Sequence, residues 1–219
     1  MRLSPRWIGI DLGASAIDAV ALTIDAGGRA RVCGAATYAS SDLQALLDMT
    51  AGAERIAIDA PDQLSTAPHG SEEAGRSPKF RGARCGEIAL AELEGIWVPW
   101  TTPAEASAAA GWMRVGFAVW AALREAGFEP IETYPAGVFR VLADGQFPNK
   151  RTVAGRRARI ELLGRHLELP EDIDRWSHDG IDALAAALVA RWSNEGLARA
   201  IGHTAAGCDS SAIWLPGAA

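Results

Sequence analysis

Cysteine is scarce in this chain of 219 residues: Cys33, Cys85 and Cys208 are the only three, and no pair has C-x-x-C spacing. That excludes a zinc knuckle and gives no sign of a disulfide framework, so all three are expected to be separate structural or incidental thiols. Long apolar runs are missing as well. The longest, such as Ile181 to Val189, fall far short of the roughly 20 residues that a membrane span needs. The N-terminus has no apolar signal-peptide core, so the expectation is a cytoplasmic protein without membrane contact. Positive net charge is also absent. At −6, the chain is a poor candidate for nucleic-acid binding driven by bulk charge, although a local basic site remains open. No internal repeat or low-complexity segment occurs.

What is present fits an ordinary globular unit: 49% of the residues are hydrophobic and 22% charged. A single domain over 1–219 is expected, with a loop-rich insertion at about 60–103. Apolar alternation marks extended segments at 6–12, 16–25 and 29–38, the last two joined by a hairpin turn at Asp25-Ala26-Gly27-Gly28. Ser41 and Asp42 offer an N-cap for a helix through Met49, and a strand follows at Arg55–Asp59. Further helices are expected over 85–93, 103–126, from Pro135, over 152–167 and over 179–191, with a strand at 128–134. Three antiparallel strands extended by two more through helical crossovers make an α/β fold: a mixed five-stranded sheet with helices on both faces, the ribonuclease H-like topology.

In that topology Asp11 ends the first strand and Asp59 the fourth, which brings them together if the fourth strand lies beside the first. Asp179 and Asp182, three apart, share a face of the last long helix, and Glu132 approaches the same sheet edge from the fifth strand. Converging carboxylates repel one another unless a cation compensates them. Asp11, Asp59 and Asp182 are therefore candidate ligands for Mg²⁺ or Mn²⁺, with Glu132, Asp179 and His178 as further catalytic candidates. The same residues also suit humbler roles: an Asx turn at Asp11, caps at Asp59 and Asp179, a surface histidine at His178.

Two basic segments stand out, Arg140 to Arg165 and Arg76-Lys79-Arg81-Arg84. Either is a solvated face or a hold on a phosphate backbone; the residues taken as nucleic-acid contacts are Arg84, Lys150, Arg151, Arg156, Arg157 and Arg159. Trp97, Trp100, Trp112 and Trp120 are expected in the core or against the loop segment, with Trp97 and Trp100 also placed to stack on a base beside the cleft.

WIGIDLGAS, IAIDAP, ARCGEIAL, IETYPAGVFRVL, KRTVAGRRARIELL and HDGIDALAAALVA, in that order along nearly the whole chain, resemble the family called domain of unknown function 429, regarded as predicted ribonuclease H-like nucleases. The resemblance implies an acidic cluster at Asp11, Asp59 and Asp182, places Glu132 in an E-x-Y-P element, and places Arg84 and Glu87 in an R-x-C-x-E element. The expected function is metal-dependent hydrolysis of phosphodiester bonds in DNA or RNA. Two alternatives stay open: a nucleotide-binding phosphotransferase related to actin and sugar kinases, suggested by the opening Asp11-Leu12-Gly13, and a non-catalytic module binding nucleic acid or protein. The alanine-rich helix after Pro103 offers its face either to the monomer core or to a homodimer contact.

Overall fold

Trp7–Leu12 (β1) lies in the middle of the sheet and is buried along its whole length. The computed structural model describes residues 5–66, 77–202 and 211–217. Strand alternation sends Ile8, Ile10 and Leu12 to one face and Trp7, Gly9 and Asp11 to the other, so each face acquires its own apolar core. Ala16–Ile24 (β2) and Ala30–Ala39 (β3) complete an antiparallel meander with β1. Its hairpin is closed by Asp25, whose Oδ1 accepts from the amides of Gly27 and Arg29 at 2.8 and 2.9 Å.

Arg55–Asp59 (β4) runs parallel to β1 with Asp59 directly opposite Asp11, and Ile131–Thr133 (β5) runs parallel to β4. The central order β3-β2-β1-β4-β5 is the ribonuclease H-like arrangement expected from the sequence. Leu167–Glu168 (β6) adds to the β3 edge, and Ala198–Ile201 (β7) and Ile213–Pro216 (β8) add to the β5 edge, making eight strands rather than five. These additions are short and lie where the sequence reads as helix end or tail, so no periodicity announces them.

Helices cover both faces. Leu43–Thr50 (α1), capped by Asp42, and Gly111–Glu125 (α3) pack on the Ile8 and Ile10 side through Leu46, Val119, Trp120 and Leu123. Cys85–Glu92 (α2), Pro135–Leu142 (α4), Val153–Gly164 (α5) and His178–Asn194 (α6) contribute to the other core. The helix expected from Pro103 begins only at Gly111, after a 3-10 turn at Ala106–Ala108. Alanine permits helix but does not choose its start, and the Pro103 carbonyl is already bonded to the Ser65 amide in an extended segment. Cys85 is disulfide-bonded, which corrects the expectation of three separate thiols; Cys33 is free, and Cys208 and Arg76 lie outside the described residues. Sequence spacing carries no information on through-space distance between thiols. No helix among the described residues is long and apolar enough to cross a membrane.

Candidate metal centre

Helix α6 brings two carboxylates to the ends of β1 and β4. Ser177 caps it, its Oγ accepting from the Gly180 amide at 2.8 Å, so Asp179 and Asp182 are both free of the capping role. The helix lies directly on β1: a Cβ at Gly9 would sit 2.0 Å from the Ala183 carbonyl oxygen and 2.1 Å from the Ala187 nitrogen. With only a hydrogen at Gly9 and alanines on the facing helix, Asp182 descends to the level of Asp11. One carboxylate oxygen each from Asp11, Asp179 and Asp182 falls within 4.8 Å of the others. Asp59 completes the group by hydrogen-bonding Asp11 across the strand pair.

Crowding of like charge away from water dominates the electrostatics. Burial, then Asp59, Asp182 and Asp179, push the Asp11 carboxyl well above the usual range, and Lys150 pulls it back. Asp59 is pushed up to about 7, first by burial and then by Asp182. Asp182 is compensated from within the chain: Lys150 Nζ donates to its Oδ2 at 2.7 Å, and Arg159 Nη1 forms an ion pair with its Oδ1. Lys150 also lies 3.7 Å from Asp179, whose other neighbour is His178 Nδ1 at 3.0 Å. Burial would lower the Lys150 ammonium pKa, but Asp182, Asp11 and Asp179 outweigh it and the net shift is upward. Two cations therefore face four carboxylates, and the raised pKa values of Asp11 and Asp59 express the repulsion that pairing of Lys150 and Arg159 with Asp182 leaves unrelieved. A hard divalent ion suits such an all-oxygen donor set, and the residues present fit Mg²⁺ or Mn²⁺.

The aspartates open into a cleft of about 490 Å³, walled by Trp100, Trp112, Tyr134 and Arg151. Trp100 packs edge-on against Trp112 and Tyr134, with ring centroids 4.7 and 6.1 Å away. Burial, with Asp59 and Asp182 nearby, raises the Tyr134 hydroxyl pKa, so it remains a hydrogen-bond donor.

Glu132 does not join them. It pairs in register with Ile58 and so points to the α3 side of the sheet, away from Asp11 and Asp59. There it meets Arg84, whose Nη1 donates to Glu132 Oε2 at 2.7 Å and to Asp62 Oδ1 at 3.0 Å, while Nη2 pairs with Glu132 Oε1. Glu87, from α2, accepts from Arg84 Nε at 3.4 Å and from the Thr102 amide at 3.0 Å. Burial alone would lower the Arg84 guanidinium pKa, but Glu132, Glu87 and Asp62 raise it instead. Burial lifts Glu132 to about 7 against the pull of Arg84.

A family profile described as "Protein of unknown function (DUF429)" matches residues 9–206. The chain belongs to that family. No curated protein matches this DUF429 member. Among solved structures it is similar to Thermus thermophilus RuvC, at 18% identity over 87% of this chain and 96% of that one with a TM-score of 0.48. T. thermophilus RuvC in complex with Holliday junction substrate matches at the same identity and coverage with a TM-score of 0.45. A ROK family glucokinase from Streptomyces griseus, in complex with glucose and AMPPNP, matches at 13% identity over 63% of this chain and 35% of that one, with a TM-score of 0.28.

Placed on this geometry, Asp11, Asp59, Asp179, Asp182 and His178 converge on or beside the cleft. Glu132 is corrected: a strand position chooses its face by parity, and the register assigns it to Arg84. Arg84 and Arg159 are corrected as nucleic-acid contacts, since both are buried with carboxylate partners. Arg156 is half-buried and donates to the Asp174 carbonyl at 2.6 Å, and Arg157 is exposed and paired with Glu161 at 2.9 Å. Lys150 and Arg151 reach the cleft. The pairing of Lys150 and Arg159 with Asp182 was missed from sequence; the available signal was that a buried aspartate on an apolar helix face demands a counterion.

Proposed function

We propose that this DUF429 member is a metal-dependent phosphodiesterase acting on nucleic acid, DNA or RNA. The observation that carries the reading is the gathering of Asp11, Asp59, Asp179 and Asp182 at one end of the sheet, in an open cleft, with more carboxylates than the cations paired with them. Asp11, Asp59 and Asp182 would hold Mg²⁺ or Mn²⁺, with Asp179 as a further oxygen donor. When bound, such an ion lowers the pKa of a water and offsets charge at phosphorus. The chain supplies the rest. Lys150, with a third of its side chain exposed, takes a non-bridging phosphate oxygen, and Arg151 holds a neighbouring phosphate. His178, held through Nδ1 by Asp179, presents Nε2 as a group that can carry a proton at the cleft. Residues 1–219 act as one unit in the cytoplasm, with the 60–103 segment supplying part of the cleft wall.

The test pairs thermal melts in EDTA, Mg²⁺ and Mn²⁺ with a cleavage assay on mixed DNA and RNA. Wild type should gain melting temperature with metal, because a ligand of the folded state alone stabilises it. Asp11→Asn should lose that gain and roughly 10²-fold or more of turnover, the scale of removing one electrostatic contact to a transition state. A folded Asp11→Asn protein with undiminished cleavage defeats the proposal.

A further inference from the structure

The aspartate cleft has a neighbour. A second trough, about 400 Å³, shares Tyr134, Ala136 and Lys150 with it and runs on past Trp97, Arg140, Gln146 and Asn149. No carboxylate among the described residues lines this trough. Arg140 has no acidic partner among the described residues, so its charge is available to an incoming anion.

Trp97 stands at its edge in an unusual state for so large an apolar side chain: 60% of it is exposed, yet it is held from several sides. The Lys79 ammonium lies 3.3 Å from its ring centroid, and Phe80 meets it edge-on at 5.7 Å and 84°. Lys79 itself is fixed by donating to the Val98 carbonyl, and the Tyr134 hydroxyl donates to the Trp97 carbonyl at 3.4 Å. Trp100, by contrast, has its ring engaged with Trp112 and Tyr134. An exposed aromatic ring restrained beside a cationic trough is the arrangement on which single nucleic-acid strands stack their bases.

We infer that the substrate strand leaves the aspartates through this trough, with an unpaired base stacked on Trp97 and a phosphate on Arg140. The substrate class is therefore single-stranded or locally unpaired nucleic acid, since a base inside a duplex has both faces covered by its neighbours. This rests on the phosphodiester reading for the choice of polymer.

The experiment measures binding apart from cleavage. Fluorescence anisotropy in EDTA at fixed salt compares a labelled single-stranded DNA, the same sequence as RNA, and the blunt duplex, for wild type, Trp97→Ala, Trp97→Phe and Arg140→Gln. Melting curves check that each variant is folded, and the same proteins are then assayed for cleavage in Mn²⁺. Single strands should bind at least tenfold tighter than duplex. Trp97→Ala should weaken them roughly tenfold, and Trp97→Phe should restore most of the loss. Arg140→Gln should weaken every substrate and reduce the salt slope by about one. The DNA and RNA arms identify the sugar. Equal or tighter duplex binding, an unaltered Trp97→Ala, or no binding at all overturns the inference. Cleavage that ignores Trp97 leaves the hydrolase standing and this strand path refuted; Trp97-dependent binding without cleavage does the reverse.

Discussion

Two groups of carboxylates lie at the same end of one sheet, on opposite faces, and they have opposite characters. Glu132, Glu87 and Asp62 close around Arg84, which is wholly buried and bonded to all three. Asp11, Asp59, Asp179 and Asp182 instead line an open cleft, with their cations, Lys150 and Arg159, both concentrated on Asp182. A carboxylate cluster thus becomes a candidate site when its counter-charge is incomplete and its donors face solvent. Where a guanidinium completes the set internally, the same residue types hold segments together: Arg84 and Glu87 tie α2 to Thr102, two residues from Trp100 on the cleft wall.

Substitutions sharpen the contrast. The largest effect is expected from Arg84→Met, which strands buried carboxylates and should cost about 3–5 kcal/mol in urea denaturation; a cost below about 1 kcal/mol would put the two groups in one class. Gly9→Ala comes next, since its Cβ would strike backbone of α6. It should cost roughly 3 kcal/mol, at the upper end for overpacking, and also abolish the metal-induced rise in melting temperature. In the open group the sign reverses. Asp59→Asn, measured in EDTA at pH 8, should stabilise the fold by roughly 1–3 kcal/mol, beneath the ceiling of about 4 kcal/mol set by a shift from 3.8 to about 7.

The pH dependence follows from the same shift. The unfolded chain loses the Asp59 proton near 3.8 while the folded chain keeps it to about 7, so between those values the folded state binds more protons and its stability falls as pH rises. Wild type in EDTA should therefore lose melting temperature from pH 5 to 8 more steeply than Asp59→Asn; parallel curves would remove the electrostatic basis of the contrast. The smallest effect marks the baseline. Arg157→Ala breaks a pair whose partners are 81% and 58% exposed, and it should change stability by less than about 0.5 kcal/mol.

Much of this was readable in the chain. Apolar strands that end in Asp11 and Asp59, and an alanine-rich helix with Asp179 and Asp182 on one face, define the meander, the crossover and the convergence. Parity was not readable at Glu132. Its strand is three residues long, too short for alternation to assign a face, and only pairing with Ile58 assigns one. Basic residues were equally ambiguous, because a guanidinium in a loop-rich run has the same letter whether it is solvated, like Arg157, or enclosed, like Arg84. The added strands of two to four residues escaped for the reason Glu132 did: they owe their existence to neighbours that the local pattern does not contain.

The seat of α6 on Gly9 has a metrological consequence. Over that stretch two main chains touch with no side chain of variable shape between them, so the gap from Asp11 to Asp182 is gauged by the thickness of polypeptide itself. Repacking elsewhere in the core, one methyl group here or there, leaves that gauge unchanged, and a cluster held to it keeps its span while the surrounding sequence drifts.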